Sequence, residues 1–275
     1  MRRNIFSLLC AASLAVAASS ACKDATARHA TPSIAESHPI NTSANRHSKP
    51  TQQTEYDSQK AILEIWKAGS EISDKTIKTY GTDRCFSSHT INDTLFKRIH
   101  GKSFKADCTV PRADLRYLHL LHRTTDGKIL LGEMICHKDI AADLLDIFRR
   151  LYEAHYPIER IRLIDDYAAD DIQSMDNNNT TCFNFRNISG SKKLSNHSLG
   201  KAVDLNPLYN PYVKRRTDGT LKVSPESGRK YADRTKNFEY KIDRNDLAYR
   251  LFKQHGFRWG GDYRSLKDYQ HFEKP

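Results

Sequence analysis

The stretch that decides the fold is Ser195-Asn196-His197-Ser198-Leu199-Gly200-Lys201-Ala202-Val203-Asp204-Leu205-Asn206. It holds a histidine and an aspartate seven residues apart, among small residues and short apolar runs. Gly200 between them favours a turn, and the apolar neighbours of Asp204 favour a strand that would hold its carboxylate rigidly. A second histidine, His271, follows near the C-terminus in another strand-like run, residues 269–272.

Together these two segments predict a metal site. A catalytic zinc ion usually takes three protein ligands from histidine and acidic residues and leaves a fourth position open. We therefore predict that His197, Asp204 and His271 bind Zn²⁺. His197 and Asp204 alone would be weak support, because a buried histidine is more often a hydrogen-bonded core residue, and the second segment supplies the missing ligand.

The first 22 residues have the pattern of an export signal. Arg2 and Arg3 form a basic start, residues 5–16 are mostly apolar, and small residues follow up to Cys22. Cys22 after Ser19-Ser20-Ala21 resembles the lipobox of bacterial lipoproteins, with Ser19 where leucine is usual. We expect a membrane-anchored lipoprotein of the cell envelope that faces the periplasm or wall. The alternatives are plain secretion and, with no export at all, a buried N-terminal helix.

Residues 23–54 are rich in Ser, Thr, Ala, Asn and Pro and carry almost no large apolar side chains. Such a segment cannot bury enough surface to fold, and we expect a flexible tether that spans roughly 30 Å. Residues 55–275 then form a single domain, for which a monomer is the default expectation.

The charge of the chain bears on its partners. The formal net charge is +11, or +9 once Arg2 and Arg3 are removed with the leader. A basic exported protein suits a polyanionic wall or envelope. Nucleic acid is not expected as a partner, because no basic run is interleaved with aromatic residues, and membrane contact is expected only through the lipid anchor.

Four cysteines follow the leader: Cys85, Cys108, Cys136 and Cys182. In an oxidising compartment they could pair in three ways, which the sequence does not distinguish. We prefer a Cys85–Cys108 bridge, because both residues lie in one loop-rich region. Free buried thiols are the alternative, and no CxxC spacing indicates a cysteine zinc site.

Periodicity and turn residues predict an α+β fold, a small, mostly antiparallel sheet flanked by helices. Asp126-Gly127 between two apolar runs is a strong hairpin signal. Strands are predicted over Leu115–Arg123, Lys128–Cys136, Arg160–Leu163 and Cys182–Phe185. Helices are predicted from Asp57 to Gly69 (with Ala61, Ile62, Ile65 and Trp66 on one face), over Asp74–Thr79, near Asn92–Ile99, over His137–Tyr156 and over Asp243–His255. Residues 170–181 are predicted to be turn-forming and residues 207–237 to form an irregular basic rim beside the site.

The ordered motifs resemble a known family. Ser-x-His-x-x-Gly-x-Ala-x-Asp at residues 195–204, Trp-Gly-Gly-Asp at 259–262 and Asp-x-x-His-Phe at 268–272 are similar to those of zinc D-alanyl-D-alanine carboxypeptidases and L-alanyl-D-glutamate endopeptidases. This metallopeptidase group includes the vancomycin-resistance carboxypeptidases. The resemblance implies a Hedgehog/DD-peptidase-like fold and is dense from Asp165 to Phe272.

The resemblance also implies roles for individual residues. His197, Asp204 and His271 would bind zinc, and Asp268, where many relatives have glutamate, would be the catalytic base. Arg186 matches the family arginine that neutralises the carbonyl oxygen or the substrate carboxylate, and the alternative for this residue is a surface ion pair. Three further residues are candidates for support of the site or contact with substrate: Ser195, which could equally be a turn cap, Asp262, and Trp259, which we expect in the cleft wall or core.

The resemblance implies a zinc-dependent peptidase that hydrolyses peptidoglycan stem peptides. We expect a D,D-carboxypeptidase, because the basic segment 207–237 could close one end of the cleft around a terminal carboxylate. One alternative is a peptidoglycan endopeptidase of the L-Ala-D-Glu type. Another is a wall-binding module that keeps zinc but has no turnover; the presence of both Asp268 and Arg186 argues against it.

Overall fold

The computed structural model describes residues 50–274. The predicted export signal, the lipidation site at Cys22 and all but the end of the predicted tether lie outside this range. No helix within it is long and apolar enough to cross a membrane.

The described chain confirms the α+β class, with helices around small sheets. The helices are α1 (Gln52–Glu64), α2 (Asp74–Tyr80), α3 (Asp93–Ile99), α4 (Lys138–Glu153), α5 (Asp171–Asp176) and α6 (Leu247–Gln254). The strands are β1 (Ser87–Thr90), β2 (Leu115–Arg123), β3 (Ile129–His137), β4 (Arg160–Ile161), β5 (Asn179–Thr180), β6 (Ala202–Asp204), β7 (Tyr212–Arg215), β8 (Leu221–Ser224), β9 (Arg258–Trp259), β10 (Lys267–Asp268) and β11 (His271–Glu273).

The predicted hairpin and the long helix form the centre of the domain. Strands β2 and β3 pair antiparallel over nine residues each, and β1 extends the sheet along β2. Helix α4 packs against β2. Its apolar residues recur at helical spacing and are buried: Ile140, Ala141, Leu144, Ile147, Phe148, Leu151 and Tyr152. His137 caps the helix, because its Nδ1 accepts a hydrogen bond from the Asp139 amide at 3.2 Å.

The C-terminal half adds three smaller sheets. Strand β11 lies between β6 and β9, and β7 lies between β10 and β8, all antiparallel. Strands β4 and β5 form a short parallel pair. The mostly antiparallel character predicted from the sequence is therefore confirmed, although the pairing is divided among several sheets.

Two apolar clusters form the core. The larger one joins the hairpin, α4 and α6 to the strands of the C-terminal half, including Val203 and Phe272. The smaller one joins α3 and β3 to Phe183 and Phe185. The larger cluster therefore reaches the strands on which Asp204 and His271 lie, and the smaller one reaches the segment that precedes Arg186.

Several boundaries differ from the sequence prediction. Helix α1 begins at Gln52, within the last residues assigned to the tether, and buries Leu63, whereas Ile65 is 74% exposed. Strand β4 ends at Ile161, and α6 begins at Leu247, four residues after Asp243. The cause at α6 is its cap: the Asp246 carboxylate accepts from the amides of Ala248 and Tyr249 at 2.9 and 3.3 Å.

Three segments have a different structure from the predicted one. Residues 182–185 form no strand, because their amides donate hydrogen bonds to three different segments. The Phe183 amide donates to the Ile135 carbonyl, the Asn184 amide to the His197 carbonyl and the Phe185 amide to the Ser103 carbonyl. Residues 170–181 contain α5 and β5. Residues 207–237, predicted to be irregular, contain the β7–β8 hairpin.

The preferred Cys85–Cys108 bridge is wrong, and the alternative of free thiols is confirmed for all four cysteines of the described chain. Cys85 lies in the larger apolar cluster, whereas Cys108 packs against the smaller one. Burial raises the pKa of the Cys85 thiol to about 12, an effect only partly offset by Arg149. This keeps the thiol protonated and unreactive.

Gly200 generates a stability prediction. Its φ is +65°, and a Cβ there would lie 2.7 Å from the His137 amide nitrogen. Gly127 in the hairpin turn has φ +82° but open space around it. We expect Gly127→Ala to cost about 1 kcal/mol from backbone strain alone. Gly200→Ala should cost about 2 kcal/mol more, because backbone atoms must move.

Urea unfolding of the two alanine variants and the parent chain measures this difference. Equal losses at the two positions would contradict the proposed contact between the 200 turn and the end of β3.

Candidate active site

The three predicted ligands come together from three adjoining elements, two strands and a 3-10 turn. Asp204 ends β6 and lies opposite His271 in the antiparallel β6–β11 pair. His197 lies in a 3-10 turn, Asn196–Leu199, which ends at Gly200 in the left-handed region. That reversal returns the chain into β6, so the turn and strand predicted around Gly200 are confirmed.

The ligand atoms have the spacing that a zinc ion requires. His197 Nε2 lies 3.2 Å from His271 Nδ1 and 3.3 Å from Asp204 Oδ2, and His271 Nδ1 lies 3.0 Å from Asp204 Oδ1. Zinc–ligand bonds of 2.0–2.1 Å in a tetrahedral site place neighbouring ligand atoms roughly 3.3–3.4 Å apart. The donor set therefore fits zinc and leaves a fourth position free.

The outer nitrogen of each imidazole has a hydrogen-bond acceptor. His197 Nδ1 lies 2.7 Å from the Cys182 carbonyl oxygen, and His271 Nε2 lies 3.3 Å from Glu273 Oε2. A carbonyl or carboxylate oxygen accepts, so these two nitrogens carry the protons. The nitrogens that face the cluster are then lone-pair donors, as metal ligands must be.

The electrostatics of the cluster indicate a place for positive charge. Burial opposes ionisation of Asp204, but the two histidines outweigh it and hold the pKa of that carboxyl well below its usual range. Burial likewise opposes protonation of His271, and hydrogen bonds to Asp204 and Glu273 outweigh it and raise the pKa of His271 to about 10. Three ligand atoms this close are stabilised by a proton or a cation between them.

Asp268 lies beside the cluster without belonging to it. It is on β10, where it pairs with Tyr212 of β7, and Gln270 Nε2 lies 3.2 Å from its carboxylate. Burial raises the pKa of Asp268 to about 6; the charge of His271 opposes this shift and that of Asp204 adds to it. A carboxylate that is near a metal site but is not a ligand, with a pKa near neutrality, is suited to accept a proton.

The Trp-Gly-Gly motif explains how Asp268 is held. A Cβ at Gly260 would lie 2.5 Å from the Asp268 carbonyl oxygen and 3.2 Å from the His271 Cβ, so the 3-10 turn at 260–262 packs directly on both residues. Trp259 is buried, and its Nε1 donates to the Tyr269 carbonyl at 2.9 Å. Trp259 is therefore part of the core.

The other candidate residues have structural partners. Ser195 caps the 3-10 turn, because its Oγ accepts from the His197 amide at 3.3 Å. Asp262 pairs with Arg244 at 2.8 Å. The structure thus gives Ser195 a direct part in placing His197, and it places Asp262 in a solvent-accessible ion pair.

Arg186 precedes the His197 turn in the sequence, but its side chain pairs with Asp171 and not with a residue of the cluster. Its amide donates to Ser198 Oγ at 2.8 Å and its carbonyl accepts from the Ser195 amide at 3.1 Å. Its guanidinium forms an ion pair with Asp171 of α5. The backbone of Arg186 is therefore tied to the His197 turn, while the side chain has an acidic partner of its own.

The sequence analysis missed Glu273 and Tyr263. Glu273 contacts His271 and also Arg258, at 3.0 Å. The Tyr263 and His271 rings lie 6.4 Å apart between centroids, and burial together with the nearby Glu273 carboxylate raises the pKa of the Tyr263 hydroxyl. The alternation of His271 and Glu273 along one strand could have predicted that both side chains point to one face.

Comparison with known proteins agrees with this site. Residues 189–274 match the family model described as D-alanyl-D-alanine carboxypeptidase, a range that holds all three ligands, Asp268 and Glu273. Neither the curated proteins nor the solved structures contain a significant match.

The ligand geometry predicts how variants bind zinc. His271→Ala should lose zinc, because it removes one of three ligand atoms. Asp268→Ala should keep it, because Asp268 is not a ligand. Metal content after dialysis, with affinity from competition against a chromophoric chelator, measures both. Retention of zinc by the His271 variant would remove His271 from the ligand set.

Proposed function

We infer that this chain, a member of the D-alanyl-D-alanine carboxypeptidase family, is a zinc-dependent peptidase that hydrolyses peptidoglycan stem peptides, with D,D-carboxypeptidase activity. The observation that carries this proposal is the position of Asp268, half-buried beside the His197–Asp204–His271 cluster yet outside it. A binding module has no use for such a carboxylate, whereas peptide hydrolysis needs one.

Different residues of the chain have different roles in the proposed hydrolysis. Zinc, when bound by His197, Asp204 and His271, would supply a Lewis acid and an activated water. Asp268 accepts a proton from the attacking water and passes it to the leaving amine. Gln270 orients the Asp268 carboxylate through the 3.2 Å contact of its Nε2.

Arg186 supplies positive charge beside the site. Its ion pair with Asp171 is half-exposed, and its backbone is fixed to the turn that carries His197. We propose that substrate replaces Asp171 as the partner of the guanidinium, through either the scissile carbonyl oxygen or the substrate carboxylate. Such a donor contributes about 10²- to 10³-fold to the rate when it contacts the developing oxyanion.

The β7–β8 hairpin supports the choice of a carboxypeptidase. Strand β7 pairs with β10, so the hairpin is anchored next to Asp268. It carries four exposed basic residues that form no ion pair with any described residue: Lys214, Arg215, Arg216 and Lys222. A terminal carboxylate at this end of the cleft would meet positive charge. We propose that the enzyme acts in the cell envelope, held there by the predicted lipid anchor at Cys22.

Defined stem peptides test the function. The purified chain should release one D-alanine from a pentapeptide that ends in D-Ala-D-Ala, and a chelator should abolish the reaction until zinc is restored. Mass spectrometry of the products measures the cleavage. Asp268→Asn, of equal size, is the control and should lose at least about 10²-fold in kcat while keeping zinc.

Two other outcomes would replace the proposed function with a different one. Cleavage between L-Ala and D-Glu would make the chain an endopeptidase. An intact peptide with the zinc-loaded chain, together with unchanged binding to wall sacculi, would make it a binding module.

Asp268 also predicts the pH dependence of the reaction. Its pKa is raised to about 6 before any metal is bound, and a cation in the cluster lowers that value. Because only the ionised carboxylate accepts a proton, kcat/KM should rise with pH through a midpoint at or below about 6. Initial rates between pH 4.5 and 8 measure this rise of kcat/KM with pH. Activity that instead declines from pH 5 to 7 would exclude Asp268 as the base.

A further inference from the structure

We propose that Glu273 is a positioning residue that fixes the protonated nitrogen of His271 and thereby directs Nδ1 to the metal. This inference rests on the proposed metal site and extends it to a residue that is not a ligand. It follows from the contacts of Glu273 on three sides.

The first contact is with His271 itself. His271 and Glu273 alternate on β11 and point to the same face of the strand. Glu273 is 8% exposed, and its Oε2 lies 3.3 Å from His271 Nε2. An ionised carboxylate only accepts hydrogen bonds, so Nε2 must donate. Nδ1, which lies 3.0–3.2 Å from Asp204 and His197, is then the nitrogen with a free lone pair.

The remaining contacts hold the carboxylate in place. Asn196 Nδ2 donates to the same Oε2, and Arg258 pairs with Oε1 at 3.0 Å. Asn196 directly precedes His197, so Glu273 connects the two histidine-bearing segments of the site. Its backbone is fixed on both sides, opposite Ala202 of β6 and Arg258 of β9.

His197 offers a comparison within the same site. Its outer nitrogen donates to the carbonyl of Cys182, a backbone group that no side-chain substitution removes. Glu273 does for His271 what that carbonyl does for His197, but with a full negative charge. A carboxylate partner strengthens the metal–imidazole bond more than a neutral acceptor does, because it stabilises charge moved onto the ring.

Glu273 variants test the role through metal affinity. Glu273→Ala should lower zinc affinity about 10- to 100-fold, the usual effect of losing such a partner. Glu273→Gln keeps the shape and offers an amide oxygen to Nε2, so it should retain affinity between those of Glu273→Ala and the parent chain. Glu153→Gln, at the exposed end of α4, makes the same change in charge away from the site and should match the parent. Competition with a chelator measures all four proteins.

A second readout separates positioning from general stability. In the zinc-loaded parent chain, ¹⁵N NMR should show the Nε2–H of His271 in slow exchange with solvent, and Glu273→Ala should accelerate this exchange. The His197 Nδ1–H, which donates to the Cys182 carbonyl, serves as the internal reference and should change less. Circular dichroism establishes that the variants are folded, and Glu273→Gln gives the result if Glu273→Ala does not fold.

The outcomes distinguish this inference from the proposed function. If Glu273→Ala binds zinc within threefold of the parent and its Nε2–H exchanges no faster, Glu273 has no positioning role, whatever the activity. If affinity falls as expected but the zinc-loaded parent cleaves no stem peptide, the positioning role stands and the peptidase proposal fails. A parent chain that binds no zinc overturns both.

Discussion

The register of β6 against β11 is the constraint on which the site depends. It sets Asp204 opposite His271, and Val203 opposite Phe272. Side chains alternate between the faces of a strand, so a slip of β11 by one residue would turn His271 toward the core and Phe272 away from it. Phe272 prevents the slip: it is fully buried and stacks on Phe252 of α6 with ring centroids 4.2 Å apart. Apolar packing on one face of β11 thus aligns the polar chemistry on the other.

The central hairpin extends this alignment to His197. The His137 amide, where β3 passes into α4, donates to the Gly200 carbonyl at 2.8 Å, and the Phe183 amide donates to Ile135 of β3 at 3.1 Å. The loop that carries His197 and the segment that carries Arg186 therefore both rest on the end of β3. The N-terminal part of the domain provides no ligand, but it supplies the rigid surface on which the ligands are placed.

The sequence was sufficient for the features whose cause is local. Local residues were enough to predict α4 from its apolar period, the hairpin from its Asp-Gly turn, and the reversal between His197 and Asp204 from Gly200. The sequence was insufficient where contacts between distant segments determine the structure. Residues 182–185 look like a strand but divide their amides among three partners, and the Cys85–Cys108 bridge failed because two separate clusters bury those side chains. Glu273 was missed because an acidic side chain is ordinarily solvated; strand alternation places it on the same face as His271, but only the fold buries it there.

The separation of the two histidines along the chain gives the metal a second consequence. His197 and His271 are 74 residues apart, and the cysteines of the described chain form no bridge. A cation held by both histidines closes a long loop as a covalent cross-link would. Closing a loop of this length removes unfolded-state entropy worth about 4 kcal/mol in the chain-entropy treatment of disulfides. Withdrawal of the proposed zinc would therefore lower the free energy of unfolding of the domain, so that metal supply would affect the stability of the protein as well as its proposed activity.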